Sequence, residues 1–315
     1  MSNQLGGNLM DGKLRIGLVG LGSIARKAYM PVLSIEKDWV LSGCYSRTPE
    51  NRKVFAEEYR VKEYESLEEL SNNVDAVIIN ASTESHFELA KFFLEKGIHV
   101  LMDKPLASTV EECERLVFFS VHNKAKLMVT FNRRFAPLYR MMKDNITSTS
   151  LIRIIKNRSS RVGPENSEFT ISDDYIHLVD TARWFFDGKL IIVDGSIAVN
   201  SENQLIYANH YYSSPEGCKI ETLLHRDSGK TVEIIEVINE GKTLRVIDLA
   251  TVEIEENNEK RILSPSQWDT VEKTKGFEDA IRHFVNAVLT DTEPESSGMD
   301  ALATQRVIES IIRTN

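Results

Sequence analysis

Short apolar runs alternate with amphipathic segments along the first 130 residues of the chain. The apolar runs have the length and the bare hydrophobic pattern of strands that are buried on both faces. They predict strands at residues 14–19, 40–45, 74–79, 98–102 and 126–131. The segments between them predict helices at 25–36, 49–59, 85–96 and 110–123. This alternation predicts a doubly wound parallel sheet with helices on both faces.

The second half has a different pattern, in which strand-like runs follow one another and turn signals separate some of them. A helix is predicted at 173–186, and two more close the chain at 276–289 and 299–314. The strand-like runs lie at 151–158, 190–199, 205–212, 220–225, 232–238, 243–247 and 251–255. They predict a C-terminal α/β domain with a large open, mostly antiparallel sheet. We therefore expect a disordered arm at 1–12, a first domain at 13–133 and a second at 134–315.

Composition narrows the function classes. The chain has 315 residues, 42% of them hydrophobic, and a net charge of −9, which suits two globular domains and argues against nucleic-acid binding. Three scattered cysteines (Cys44, Cys113 and Cys218) predict a reducing compartment, and the histidines show no metal-ligand spacing. No apolar stretch is long enough for a membrane span, and the first residues do not resemble a signal peptide. We expect a cytoplasmic protein without a metal.

A glycine-rich turn follows the first predicted strand and opens a helix. It reads Gly20-Leu-Gly22-Ser23-Ile24-Ala25. The first glycine permits the tight turn, the second lets the backbone approach a pyrophosphate, and Ala25 permits close packing of the helix on the strand. The helix start then offers N–H groups to the phosphates. The alternative is a glycine-rich turn without a ligand, but the strand and helix around it favour a dinucleotide site.

The end of the second predicted strand indicates which dinucleotide binds. NAD sites place an acidic residue there for the ribose 2′-hydroxyl. This chain instead has Ser46, Arg47 and Thr48, and a guanidinium with flanking hydroxyls suits a 2′-phosphate. We therefore predict NADP(H) as the preferred cofactor, with NAD(H) as the alternative if Arg47 is a solvated loop residue.

Two further groups of residues have catalytic chemistry. Lys104 follows the strand at 98–102, and ligands of a doubly wound sheet bind beyond the carboxyl ends of its strands. Asp173 and His177 are four residues apart in a predicted helix, with Asp180 three residues further. A carboxylate beside an imidazole raises its basicity, as a general base for a hydroxyl proton requires. The alternative is a structural Asp–His pair at the start of a helix.

The combination of these motifs resembles a known family. The glycine-rich turn, Asp103-Lys104-Pro105, Phe131-Asn132-Arg133-Arg134-Phe135 and the pattern Asp173-x-x-x-His177-x-x-Asp180 occur in the order found in the Gfo/Idh/MocA oxidoreductases. They extend over nearly the whole chain. The sequences around Phe131 and Asp173 are further similar to the MviM-like subgroup.

The resemblance implies a Rossmann domain for NAD(P) and a second domain for the substrate, in a homodimer or higher homo-oligomer. It implies hydride transfer between the nicotinamide and a hydroxyl-bearing carbon of a sugar, cyclitol or related polyol. Lys104 would orient the hydroxyl, His177 would take its proton, and Asp173 would hold the substrate or the base. Ser82, Asn132 and Lys104 itself would lie at the cofactor, beside the residues named above. Arg133 is a weaker candidate for contact with an anionic substrate or the cofactor phosphates.

Three departures from the family pattern leave a rival open. Asp103 replaces the usual glutamate, and Ala81-Ser82 replaces a common Thr-Pro. Tyr175 replaces the usual glycine of the helix motif, where it could fill or line the substrate pocket. The rival is a catalytically silent NAD(P)-binding sensor or regulatory protein. A third interpretation, transient use of the nicotinamide within one turnover, has no sequence feature that separates it from the first.

Overall fold

The computed structural model describes residues 12–35, 37–159, 162–264, 266 and 268–314. The chain divides into two compact units. The first takes the residues up to Thr130 and the segment Phe277–Leu302, and the second takes Phe131–Gly276 and the residues from Ala303 onward. The arm predicted at 1–12 lies, apart from Gly12, outside the described residues.

The contacts divide the chain differently from the sequence-based boundaries in two respects. The first unit ends at Thr130 rather than at residue 133, and the segment Phe277–Leu302 belongs to it, although we expected it in the second domain. The ring of Phe277 meets that of Tyr29 edge-on, with the centroids 5.5 Å apart. Val129 donates a backbone hydrogen bond to Ser296. The hydrophobic pattern of this segment predicts its helices, but it does not show that the segment packs with residues far earlier in the chain.

The first unit is built on a five-stranded parallel sheet. In chain order its strands β1–β5 are Leu14–Val19, Trp39–Tyr45, Ala76–Ile79, His99–Asp103 and Leu127–Thr130. Their spatial order is β2-β1-β3-β4-β5, so the direction of winding reverses between β1 and β3. All four residues of β3 and all four of β5 are buried, as strands covered on both faces require.

Helices connect these strands. A π-helical turn at Ala25–Tyr29 continues into helix α1 at Met30–Leu33. The other helices are α2 (Pro49–Tyr59), α3 (Leu67–Ser71), α4 (His86–Glu95), α5 (Val110–His122) and α10 (Phe277–Leu289). Helix α5 starts with the reciprocal hydrogen bonds of a capping box between Thr109 and Glu112. The doubly wound parallel sheet predicted from the sequence is confirmed.

The second unit is built on an eight-stranded sheet. Strands β6–β13 are Leu151–Asn157, Ile191–Val199, Leu205–Ser213, Lys219–His225, Val232–Asn239, Lys242–Ile247, Thr251–Glu256 and Glu259–Leu263. Their order is β13-β12-β11-β10-β6-β9-β8-β7; β6 and β9 are parallel, and every other neighbouring pair is antiparallel. The mostly antiparallel sheet is confirmed, with β13 added to the predicted strands.

One helical segment covers the middle of this sheet. It begins at Ser167 as α7 (Ser167–Thr170), passes through a π-helical turn at Ile171–Tyr175 and continues as α8 (Ile176–Phe185). The predicted start at Asp173 is therefore wrong, because Asn166 caps the segment by accepting from the N–H of Phe169. All ten residues of α8 are buried.

The second unit also contains the shorter helices α6 (Pro137–Asp144) and α9 (Val271–Thr274). The last helix of the chain is α11 (Gly298–Thr314). No helix in the described part of the chain is both long and apolar enough to span a membrane.

Candidate functional site

A cleft of about 480 Å³ opens in the first unit at the carboxyl ends of β1, β2 and β3. This is the switch point of the sheet, where the winding reverses and where doubly wound sheets bind their ligands. The cleft brings together six of the predicted cofactor residues, which are Gly20, Gly22, Ser46, Arg47, Thr48 and Ser82. Its lining also includes Asn51, Asn80, Glu84 and Glu88.

The two glycines of the turn have different roles. Gly20 has a φ of +86°, and a Cβ there would lie 2.5 Å from the backbone nitrogen of Ala81, so this position excludes a side chain. A Cβ at Gly22 would meet nothing within 4 Å. Gly20 therefore lets two loops pack together, whereas Gly22 leaves open space against the backbone for a ligand group.

The helix start after the turn is uncapped by side chains. Ile24, the residue before the π-helical turn, makes no side-chain capping hydrogen bond. Ser23 is exposed, and Ala25 is fully buried against the sheet, as close helix–strand packing requires. N–H groups at such a start can receive an anionic group.

Asn80 was missed by the sequence analysis. It follows β3, is 6% exposed and lines the cleft. Neither its Oδ1 nor its Nδ2 has a hydrogen-bond partner among the described residues. A buried amide without partners costs about 1–3 kcal/mol, which a bound ligand can recover. The available signal was a polar residue directly after a fully apolar strand.

Replacing Asn80 with leucine is expected to stabilise the ligand-free protein by about 1 kcal/mol, because it removes a buried polar group that lacks partners. The same change should weaken binding of NAD(P)H about tenfold, because a ligand in the cleft loses the amide as a hydrogen-bond partner. Chemical denaturation and a fluorescence titration measure the two effects. Asn123→Leu is the control, because the Asn123 amide already donates to the carbonyl of Phe119. Lower stability of Asn80→Leu, or unchanged affinity, would contradict this role.

The loop that carries Lys104 is supported by two buried side chains. His86 lies with Nδ1 2.8 Å from the carbonyl oxygen of Pro105 and Nε2 3.0 Å from that of Ala81. Burial lowers the pKa of His86, although its contacts with these two carbonyl groups act in the opposite direction. The Tyr29 hydroxyl donates to Asp103 Oδ1 at 3.1 Å, and burial raises the pKa of this tyrosine. Lys104 thus lies on a loop held from both sides.

The other predicted catalytic residues lie in the second unit. Asp173 is in the π-helical turn, and His177 is in the first turn of α8, 9% exposed. Asp180 was expected beside the imidazole. Its carboxylate instead accepts two hydrogen bonds from Arg134, at 2.5 and 2.8 Å, and a third from Thr304 at 2.9 Å. Asp180 therefore holds a buried arginine.

Tyr175 is bonded to the sheet of the second unit. It is fully buried, with its hydroxyl 2.9 Å from His210 Nδ1 and 2.5 Å from Thr222 Oγ1. These partners belong to β8 and β9, so the phenol is embedded against the sheet, and its role in the substrate pocket stays a prediction from the sequence. Burial raises the pKa of Tyr175 and lowers that of His210 to about 4, so both side chains are neutral at pH 7.

Two other candidates are held by contacts inside the second unit. Arg133 forms a bidentate ion pair with Glu233, at 2.6 and 2.7 Å. The Asn132 amide donates to the carbonyl of Lys275 at 2.8 Å, and its Oδ1 accepts from Arg133. Asn132 is not among the residues that line the cleft of the first unit. The roles of Asn132 at the cofactor and of Arg133 at the substrate stay predictions from the sequence.

The donor set of the cleft fits a dinucleotide. The open space against Gly22 and the uncapped helix start can receive phosphates. The Asn80 amide, which has no partner among the described residues, can bind a polar group of the ligand. Arg47 lies exposed at the end of β2. In the described part of the chain, no three His, Cys, Asp or Glu residues are close enough to hold a metal ion.

Comparison with known proteins agrees with this geometry. Residues 14–131 match the sequence model of an oxidoreductase family with an NAD-binding Rossmann fold, and residues 137–257 match that of the YceM-like C-terminal domain. The chain is 37% identical to the oxidoreductase YceM of Salmonella typhimurium, over 95% of this chain and 97% of that protein. It is 24% identical to an inositol 2-dehydrogenase of Rhizobium meliloti, over 96% of both.

A solved structure has the same fold as this chain. The crystal structure of a dehydrogenase named MviM from Clostridium difficile superimposes with a TM-score of 0.93 at 35% identity. The match covers 96% of this chain and 99% of the other. The predicted resemblance, including its MviM-like subgroup, is confirmed. The chain belongs to the Gfo/Idh/MocA family of NAD(P)-dependent oxidoreductases.

Proposed function

We propose that the protein transfers a hydride between NADP(H) and a hydroxyl-bearing carbon of a sugar, cyclitol or related polyol. The observation that carries the proposal is the cleft at the switch point of the first sheet, where Gly22, Asn80 and Arg47 meet. The relative in Rhizobium meliloti is named as an inositol dehydrogenase, which supports a polyol substrate. When bound, the nicotinamide accepts or supplies the hydride.

The protein's own residues bind the cofactor, orient the substrate and move a proton. The backbone at Gly20 and Gly22 and the Asn80 amide hold the cofactor. The Lys104 ammonium orients the substrate hydroxyl and stabilises negative charge that develops on its oxygen. The His177 imidazole takes the hydroxyl proton as the alcohol is oxidised and returns it in the reverse direction. Asp173 positions the substrate or the imidazole.

We favour an enzyme over the silent-protein alternative, because relatives of this chain are named oxidoreductase and dehydrogenase. Tyr175, the residue that left this alternative open, is buried and bonded to His210 and Thr222. Asp103, the shorter carboxylate beside Lys104, keeps a hydrogen bond from Tyr29. A cytoplasmic location and a homo-oligomer, most simply a twofold dimer, stay predictions from the sequence.

The preference for NADP(H) rests on Arg47. Replacing Arg47 with alanine should weaken NADPH binding about 10- to 100-fold, since a charge-assisted hydrogen bond to phosphate contributes about 1.5–3 kcal/mol. NADH affinity should stay unchanged, because NADH has no 2′-phosphate. Parallel fluorescence titrations with the two cofactors make the comparison.

Lys53→Ala is the matched control, because Lys53 is an exposed cation on α2 that is not among the residues of the cleft. Equal weakening of both cofactors by Arg47→Ala would remove the 2′-phosphate argument. Tighter binding of NADH than of NADPH by the unmodified protein would favour NAD(H), and the acidic residues Glu84 and Glu88 in the cleft would then account for it.

A further inference from the structure

A cluster of basic side chains surrounds Asp174 in the second unit. Lys156 Nζ lies 2.6 Å from Asp174 Oδ1. Arg158 donates to both carboxylate oxygens, at 2.8 and 3.1 Å, and Arg226 donates to Oδ2 at 2.9 Å. In these contacts three cations share one carboxylate, so the cluster carries two positive charges that Asp174 does not balance.

The strand pairing explains how the basic residues meet. Lys156 and Arg158 are two residues apart along β6 and its continuation, so their side chains project from the same face of the sheet. Strand β9 runs parallel to β6 with His225 opposite Asn157, and Arg158 donates a backbone hydrogen bond to His225. Arg226 therefore follows at the same level as Arg158, at the carboxyl ends of the parallel pair.

A nearby ion pair shows what a balanced structural contact looks like in this unit. Glu233 accepts both hydrogen bonds of Arg133 and a third from the Tyr139 hydroxyl at 2.7 Å. One cation is hydrogen-bonded to one carboxylate there, and the charge of Lys156 also acts on Glu233. Although burial acts in the opposite direction, Arg133 lowers the pKa of Glu233 to about 2, so the pair is charged at pH 7. The Asp174 cluster departs from this balance.

Burial and neighbouring charges act on the pKa values of the cluster. Burial and the charge of Arg133 lower the pKa of Lys156 to about 8, even though its ammonium touches a carboxylate. Burial alone would raise the pKa of Asp174, but Lys156 and Arg158 hold it well below its usual range. Unbalanced cations that are partly removed from water are stabilised by an anion.

The cluster is accessible and lies beside the proposed catalytic residues. The side chains of Arg158 and Arg226 are 35% and 19% exposed, whereas that of Lys156 is 6% exposed. Each guanidinium has five N–H donors, more than the contacts with Asp174 use. Asp174 directly follows Asp173 and is three residues before His177, about one helical turn.

We propose that the substrate carries an anionic group, a carboxylate or a phosphate ester, which Arg158 and Arg226 bind while Asp174 and Lys156 hold the two arginines in place. The inference rests on the proposed function and narrows its substrate class to acidic or phosphorylated sugars and polyols. The reacting hydroxyl would lie at His177, which follows Asp174 by three residues in the same helical segment. Guanidinium groups suit both anions because they bind planar oxygen pairs with two parallel hydrogen bonds.

Calorimetric titration of the full chain at fixed ionic strength tests the inference without requiring turnover. The probes are glucose, glucuronate and glucose 6-phosphate, which share a ring and differ in charge. The acidic probes should bind at least about tenfold more tightly than glucose, and the tighter of the two identifies the anion class. Arg158→Gln and Arg226→Gln should each weaken the acidic probes about tenfold. Each variant leaves two cations on Asp174, so the fold is retained.

Arg153→Gln is the matched control, because Arg153 lies on the opposite face of β6, paired with Glu221, and its removal changes the net charge equally. Equal binding of glucose and the acids, no binding of either acid, or an equal loss in Arg153→Gln would overturn the inference. NADPH titrations of the same proteins separate the two proposals. Failure to bind NADPH refutes the proposed function, whereas acid binding decides the anion site by itself.

Discussion

Replacing Lys104 with alanine should lower kcat/KM by about a thousandfold or more while NADPH affinity changes less than about threefold. Removal of one group that stabilises charge or assists proton transfer in the transition state commonly has an effect of this size. Cofactor affinity should persist because the cleft is lined by residues that follow β1, β2 and β3, whereas Lys104 follows β4. The test combines initial rates on a substrate from a polyol and sugar-acid panel with a fluorescence titration.

Two variants help to interpret this result. Lys104→Arg keeps the charge and alters the geometry, so it should recover part of the lost rate. Lys91→Ala removes a lysine of α4 that stacks on Phe119, 5.9 Å from the ring centroid, and should leave the rate unchanged. A tenfold loss of NADPH affinity in Lys104→Ala would make the lysine a cofactor ligand. Full activity of this variant would remove it from the mechanism.

Replacing Asp180 with alanine should lower the free energy of unfolding by about 3–5 kcal/mol. Asp180 and Arg134 have side chains that are 1% and 3% exposed, and the change leaves the guanidinium buried without its carboxylate. Thr304 also loses an acceptor. Urea denaturation of the purified variant measures the effect. Asp187→Ala should cost less than about 1 kcal/mol, because Asp187 forms a surface ion pair with Lys143 and is 81% exposed.

The double variant Arg134→Met with Asp180→Leu provides the second arm of this experiment. It replaces both charges with apolar side chains, and it should recover most of the stability that Asp180→Ala loses, because no buried charge remains uncompensated. A loss below about 1 kcal/mol in Asp180→Ala would show that water or another group compensates Arg134.

The chain order of strands, helices and motifs could be predicted because these features are local. A strand buried on both faces is a bare apolar run, as in β3, and the glycine-rich turn has a spacing that the backbone requires. Together they located Gly20, Gly22 and Arg47 in what the structure shows to be one cleft. Lys104 was placed at the carboxyl end of a strand by the same logic.

The features that escaped prediction depend on contacts between distant residues. Asp180 was expected beside His177 because the two share a helix, but its partner Arg134 lies 46 residues away. The basic cluster at Asp174 required the parallel pairing of β6 with β9, which local patterns do not reveal. The contacts of Tyr175 could not be predicted either, because its partners His210 and Thr222 lie 35 and 47 residues away in the chain.

Tyr175 has a consequence for how the reactive side chains are aimed. Helix α8 is buried along its whole length, and the ion pair between Asp180 and Arg134 opposes rotation of this helix about its axis. The Tyr175 hydroxyl opposes rotation of the π-helical turn before it, because rotation would withdraw the hydroxyl from His210 and Thr222 and leave a buried phenol unbonded. Two side chains that bond to other parts of the second unit thus fix the direction in which Asp173, Asp174 and His177 point.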